Sequence, residues 1–106
     1  MDKKMYDYWL YSLESIGRKT FLKLKERGYS GEFLYYCKEC EIPNFLNDKQ
    51  KAALLIGKKV SKELLLRKMD RIKMDGIFMT FFGDADYPKK LYEIPDSPAV
   101  LFYKGS

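Results

Sequence analysis

The chain opens with apolar residues at three- and four-residue steps: Tyr6, Trp9, Leu10 and Leu13. That spacing gathers them on one face of a first helix. "ESIGRKT" interrupts the pattern, with Gly17 able to take a positive φ in the turn. A second helix is predicted from about Lys19 to Arg27, with Phe21, Leu22 and Leu24 inward and Lys23, Lys25 and Arg27 outward. Gly28 closes it, as glycine does after a helix. Ser30 is the expected N-cap of a third helix running through "SGEFLYYCKEC", and Pro43 ends that region. Asn47 or Asp48 caps a fourth helix carrying Ala52, Leu55 and Ile56. Ser61 begins a fifth, with Leu65, Met69 and Ile72 on one stripe and Gly76 at its end.

Beyond Gly76 the period changes. "IFMTFF" is a continuous apolar, β-prone run, the signature of a strand buried on both faces. "AVLFY" is a second such run. The expected fold class is therefore mainly α, about five short helices followed by two β-strands. The division falls into a helical segment, 1–75, and a strand-bearing segment, 76–106. The stretch Gly83 to Pro98 is long enough for the two strands to return and pair. A lone two-stranded unit is marginal in water, and Leu65, Met69 and Ile72 of the last helix are the candidate support. Its outer edges stay open, which predicts self-association through the C-terminal strands.

Composition narrows the class. A hydrophobic content of 46% with 16% aromatics supplies a real core and argues against disorder. Up to Asp75 there are 17 basic against 11 acidic residues; from Gly76 onward there are 3 against 4. The basic excess therefore belongs to the helical segment, a bias that favours polyanions and also keeps a domain soluble. No apolar run of about 18 residues exists, so no membrane partner is expected. Met1-Asp2-Lys3-Lys4 leads into polar-aromatic sequence rather than a signal peptide's apolar stretch. The expected location is cytoplasmic, where Cys37 and Cys40 stay reduced.

Candidate chemistry is sparse. Histidine is absent, no nucleophile–base pair is indicated and there is no glycine-rich phosphate loop, so no catalytic residues and no enzyme activity are expected. Cys37 and Cys40 form a Cys-x-x-Cys inside the predicted third helix, but a structural zinc needs four ligands and no histidine or third cysteine is present. Asp84 and Asp86 in "GDADYP" read as turn formers, because Asp side chains bond nearby backbone N–H groups. No metal and no cofactor is expected. The many Tyr and Phe residues sit at helical or strand spacing and read as core. One element points to a ligand. "SLESIGRKTFLKLKERG" is a helix-turn-helix in the manner of a helix-hairpin-helix module. There, backbone N–H groups at a helix N-terminus hold a phosphate. Gly17, Arg18, Lys19 and Lys23 are the candidate nucleic-acid contacts. The usual hairpin has a second glycine where this chain has Ser15, so a compact turn with a solvated basic face is the competing reading.

"GDADYPKKLYEIPDSPAVLFYKG" resembles the segment that opens the Rossmann-like domain of the DprA/Smf DNA-processing proteins of bacterial transformation. The matching positions are Asp84, Asp86, Tyr87-Pro88, Leu91, Ile94, Asp96, Pro98, Val100-Leu101 and Gly105. "YDYWLYSLESIGRKTFLKLKERGYS" resembles that family's N-terminal helical domain at Trp9-Leu10, Ile16-Gly17, Thr20 and Leu24. The two matches run in the family's order. The resemblance implies a SAM-like or helix-hairpin-helix-like bundle followed by strands that begin a Rossmann-like sheet. It also implies that the chain is an N-terminal fragment, with the family's main DNA pocket and dimerisation surface following Ser106. The implied role is binding single-stranded DNA and helping to load a RecA-type recombinase on it. A protein–protein interaction module without direct DNA contact is the alternative.

Overall fold

The computed structural model describes residues 3–104. Gly105, one of the positions matched to the DprA/Smf pattern, lies outside the described residues.

The first helix, α1 (Lys3–Ser12), is the element the others are built on. Its inner face buries Met5, Tyr6, Trp9 and Leu10; Tyr6, Trp9 and Leu10 are positions the periodicity predicts, while the predicted Leu13 falls past the helix end and is partly buried. The fully buried Trp9 still needs a partner for its indole N–H, and finds it in the carbonyl of Gly57, 3.0 Å away. Gly57 ends α4 (Asp48–Gly57), and a β-carbon there would collide with the Leu13 side chain and crowd the Trp9 ring. This close approach docks α4 by its C-terminal end. Leu54 and Gly57 are buried, while Ala52 and Ile56 are exposed and Leu55 is half-buried. The predicted apolar positions of α4 are thus corrected by the geometry of one contact.

The second helix, α2 (Arg18–Glu26), buries Phe21 and Leu24 and covers Leu22 in part. The turn before it does not use glycine for its left-handed residue. Ser15 has φ 74°, whereas Gly17 has φ −87° and serves as N-cap without a side-chain bond. Gly28 does take φ +87° and ends α2 as predicted. Lys25 is not outward. Its ammonium lies 2.9 Å from the buried carboxylate of Asp7 on α1.

The third helix, α3 (Gly31–Tyr36), starts where Ser30 accepts the N–H of Phe33. Asp7 accepts the N–H of Gly31 at 3.1 Å. A β-carbon at Gly31 would stand 2.7 Å from the backbone N of Asp7, and closer still to the Tyr6 carbonyl. Glycine therefore lets α3 lie directly on α1. The helix is shorter than predicted. It stops at Tyr36, Cys37 is extended, and Glu39–Glu41 form a single 3₁₀ turn. The cause is a competing bond: the Glu41 carboxylate takes the N–H of Lys38 at 2.8 Å and holds the chain out of the α-helix. Cys37 and Cys40 therefore do not share a helix.

The last helix, α5 (Lys62–Met74), is capped by Ser61 through the N–H of Leu64 and ends before Gly76, at φ +72°. It buries Leu65 and Met69, with Ile72 partly covered. Strands β1 (Ile77–Phe81) and β2 (Val100–Lys104) pair antiparallel, with Met79 opposite Phe102. The fold is mainly α with a two-stranded sheet, as the two periods predict. Strand β1 packs against α1 and α5, and the Phe81 ring sits 5.8 Å from that of Phe21. A single hydrophobic cluster thus holds Met79, Phe81 and Ala99 together with residues of α1 to α5. Burial of β1 on both faces does not hold along its length. Met79 and Phe81 face the helices, but Phe78 on the other side is 48% exposed. Helices cover only one face of this sheet. Thr80 is buried by a local loop and not by a second layer.

Three substitutions test this packing. Gly31→Ala should cost about 1–3 kcal/mol by overpacking and more than Gly17→Ala, which meets nothing within 4 Å and loses only the N-cap preference for glycine over alanine. Equal melting temperatures for the two would contradict the close approach of α1 and α3. Lys25→Met should cost about 3–5 kcal/mol, because it leaves the Asp7 charge buried without its cation. A urea midpoint matching the wild type would show that Asp7 is satisfied by other means.

Candidate functional site

The helix-turn-helix places its four predicted contact residues unequally. Gly17 is exposed at the N-cap of α2. Arg18 is half-buried and turned toward the C-terminal segment. Its Nε donates to the Ser97 carbonyl at 2.8 Å, and a terminal nitrogen donates to Pro95 at 3.4 Å. Lys19 and Lys23 are exposed. The turn itself is held from α4: the Gln50 amide donates to the Ser15 carbonyl at 3.2 Å and to the Thr20 hydroxyl at 2.9 Å. Gln50 also completes a capping box with Asn47, so one side chain joins the start of α4 to the start of α2.

The exposed face of α2 carries a ridge of cations. Lys19 and Lys23 on the helix and Arg27 at its C-cap follow at four-residue steps, each about 6 Å further along the axis. None of the three forms an ion pair among the described residues. Between the last two lies Phe45: the Lys23 ammonium is 4.6 Å and the Arg27 guanidinium 4.8 Å from its ring centroid. These cation–π contacts hold the two charges in place without neutralising them. The first turn of α2 contains no acidic residue, so the positive helix end adds to the charge of Lys19. Sequence reasoning missed Phe45 and Gln50, which come from a different part of the chain. Arg27 was legible as an outward residue, and its four-residue step from Lys23 was the available signal.

The "GDADYP" stretch forms a knot of hydrogen bonds. Asp84 accepts the N–H of Phe81 at 2.9 Å, and its own N–H donates to the Phe81 carbonyl at 2.9 Å. Asp86 accepts from the Thr80 hydroxyl at 2.5 Å and from the Lys4 ammonium at 2.6 Å. The buried Tyr87 donates its hydroxyl to the Pro98 carbonyl at 2.8 Å. The Ser97 hydroxyl donates to the carbonyls of Leu91 and Ile94. Each of these contacts closes the return from β1 to β2 or ties it to α1. The residues that carry the DprA/Smf resemblance here shape a connection.

Comparison with family models, curated proteins and solved structures gave no match.

The two carboxylates respond to pH in opposite senses. The Lys4 and Thr80 bonds hold Asp86 below its ordinary value of 3.8. It contributes stability above that value, which is lost as the pH falls through the depressed folded one. Desolvation raises Asp84 above 3.8, against the opposing bond from Phe81. Its neutral form is the better accommodated, so that stability is present below 3.8 and lost as the pH rises through the raised value. Asp86→Asn should therefore lose stability at neutral pH and flatten the acid limb of the profile. Asp84→Asn should keep or gain stability at neutral pH. Denaturation followed from acid to neutral pH checks this, and identical profiles for the two variants would refute it.

Proposed function

We propose that the chain is a nucleic-acid contact module whose helix α2 lies against a phosphodiester backbone. Lys19, Lys23 and Arg27 are the contacting groups. The observation that carries this reading is the exposed ridge itself, three cations at regular steps with no carboxylate partner among the described residues. Such a surface reads charge and not bases. The resemblance to DprA/Smf proteins supports the wider setting: the leading part of a DNA-processing protein that binds single-stranded DNA and assists a recombinase. In that setting Arg18 positions the C-terminal segment instead of touching DNA, because its guanidinium already serves Ser97 and Pro95. The role requires no catalytic group.

A second reading, a protein–protein interaction module without direct DNA contact, is favoured by α3. Phe33 and Tyr36 are exposed three residues apart on one side of it, an apolar pair that suits docking of a protein partner. Salt separates the two readings, since phosphate contacts weaken steeply with ionic strength and apolar docking does not.

Fluorescence anisotropy with labelled single strands of several sequences tests the proposal. Lys19→Glu/Lys23→Glu/Arg27→Glu should weaken binding equally for all sequences. It should also reduce the slope of log K against log salt by about 2, for three lost phosphate contacts. Unchanged affinity and slope in the triple variant would leave the interaction-module reading as the better account.

A further inference from the structure

The two edges of the sheet are not alike. The Phe82 N–H donates to the Ala99 carbonyl at 2.9 Å, so residues 82 and 99 form a hydrogen-bonded pair. Given the register, the alternation continues through Thr80–Leu101 and Phe78–Tyr103. The main-chain groups of Ile77, Met79 and Phe81 then point to the outer edge of β1, and those of Val100, Phe102 and Lys104 to the outer edge of β2. Asp84 occupies the β1 edge, taking both the N–H and the carbonyl of Phe81. No such partner covers the β2 edge among the described residues. Around that edge the surface is aromatic: Phe102 is 56% and Tyr103 46% exposed, and Tyr103 stacks on Phe78 with ring centroids 5.7 Å apart.

We propose that the β2 edge pairs with the β2 edge of a second copy of this chain, antiparallel about a two-fold axis through Phe102. The edge is self-complementary. Its three outward residues are spaced evenly about Phe102, so a two-fold there sets Phe102 against Phe102 and Val100 against Lys104 of the second copy. All three pairs are of the hydrogen-bonded kind. Charge agrees with this register. Lys104 is the only charged residue of β2, and it stands opposite Val100, about 14 Å along the strand from its own counterpart. Tyr103 faces Leu101 of the second copy, which extends the Phe78–Tyr103 stack into an apolar strip. Asp84 closes the β1 edge at Phe81, and the two-fold contact uses β2 alone. Pairing through β2 alone gives a closed dimer with a four-stranded sheet, not an open fibre. This inference stands apart from the nucleic-acid reading and uses none of its residues.

Two variants of the full chain test it. Phe102→Pro removes an outward N–H while leaving the bonds between β1 and β2, since proline is tolerated where the N–H faces away from the sheet. Sedimentation should show a concentration-dependent dimer for the wild type and its loss in Phe102→Pro, with circular dichroism unchanged. A wild type that stays monomeric, or a dimer that survives Phe102→Pro, overturns the proposal. Phe102→Cys in a Cys40→Ser background gives a readout that does not depend on how Phe102→Pro folds. Facing residues of a hydrogen-bonded pair lie about 5.5 Å apart at Cα, within disulfide reach. Mild oxidation should therefore yield a covalent dimer for Phe102→Cys and at most a trace for Lys104→Cys in the same background. Equal crosslinking at the two positions overturns the register, and with it the proposal.

Discussion

The buried carboxylate of Asp7 is the constraint on which the helical arrangement depends. It lies within the α1 face that makes the core, and its side chain is 4% exposed. A charge in that position is tolerated only when it is paired and hydrogen-bonded. Two different elements supply its partners, the Lys25 ammonium from α2 and the Gly31 N–H from α3. The requirement therefore sets where α2 and α3 lie against α1. Drawing Lys25 inward also turns α2 so that Phe21 and Leu24 enter the core, and the opposite face is left to Lys19, Lys23 and Arg27. The basic ridge is in this sense the outer side of a packing solution made around Asp7.

The strand-bearing segment meets the same helices through polar bonds at its rim and apolar contacts at its centre. Lys4 reaches Asp86 and Arg18 reaches the carbonyls of Pro95 and Ser97, while Phe81 rests against Phe21. Both cations come from the first two helices, so α1 and α2 position the return between the strands. The acidic turn has a second consequence. By satisfying Phe81, Asp84 closes one end of the β1 edge, whereas the outward residues of β2 have no such partner among the described residues. A residue type chosen for turn formation thus also makes the two edges unequal.

Much of this structure is local in origin and was legible in the chain. Ser30, Asn47 and Ser61 cap their helices because each side chain bonds an N–H three residues on. Gly28 and Gly76 end helices because a left-handed residue is cheapest without a β-carbon. The change from helical to strand period at Gly76 placed both strands, and the length of the intervening stretch allowed them to pair. The exposed Lys19 and Lys23 followed from the helical repeat alone.

What only the tertiary structure decided has one feature in common: the partner lies far away along the chain. Lys25 and Arg18 read as surface cations until Asp7 and the carbonyls near Ser97 claim them across the fold. Ile56 reads as a core residue until the Trp9–Gly57 contact sets the angle at which α4 docks. The left-handed residue fell on Ser15 and not Gly17, in a turn whose Ser15 carbonyl is held by Gln50 from α4. Period and capping describe how a segment satisfies its own backbone and sorts its own faces. Which charged group is drawn inward, and which edge is left open, depends on what another segment brings to it once the chain has closed.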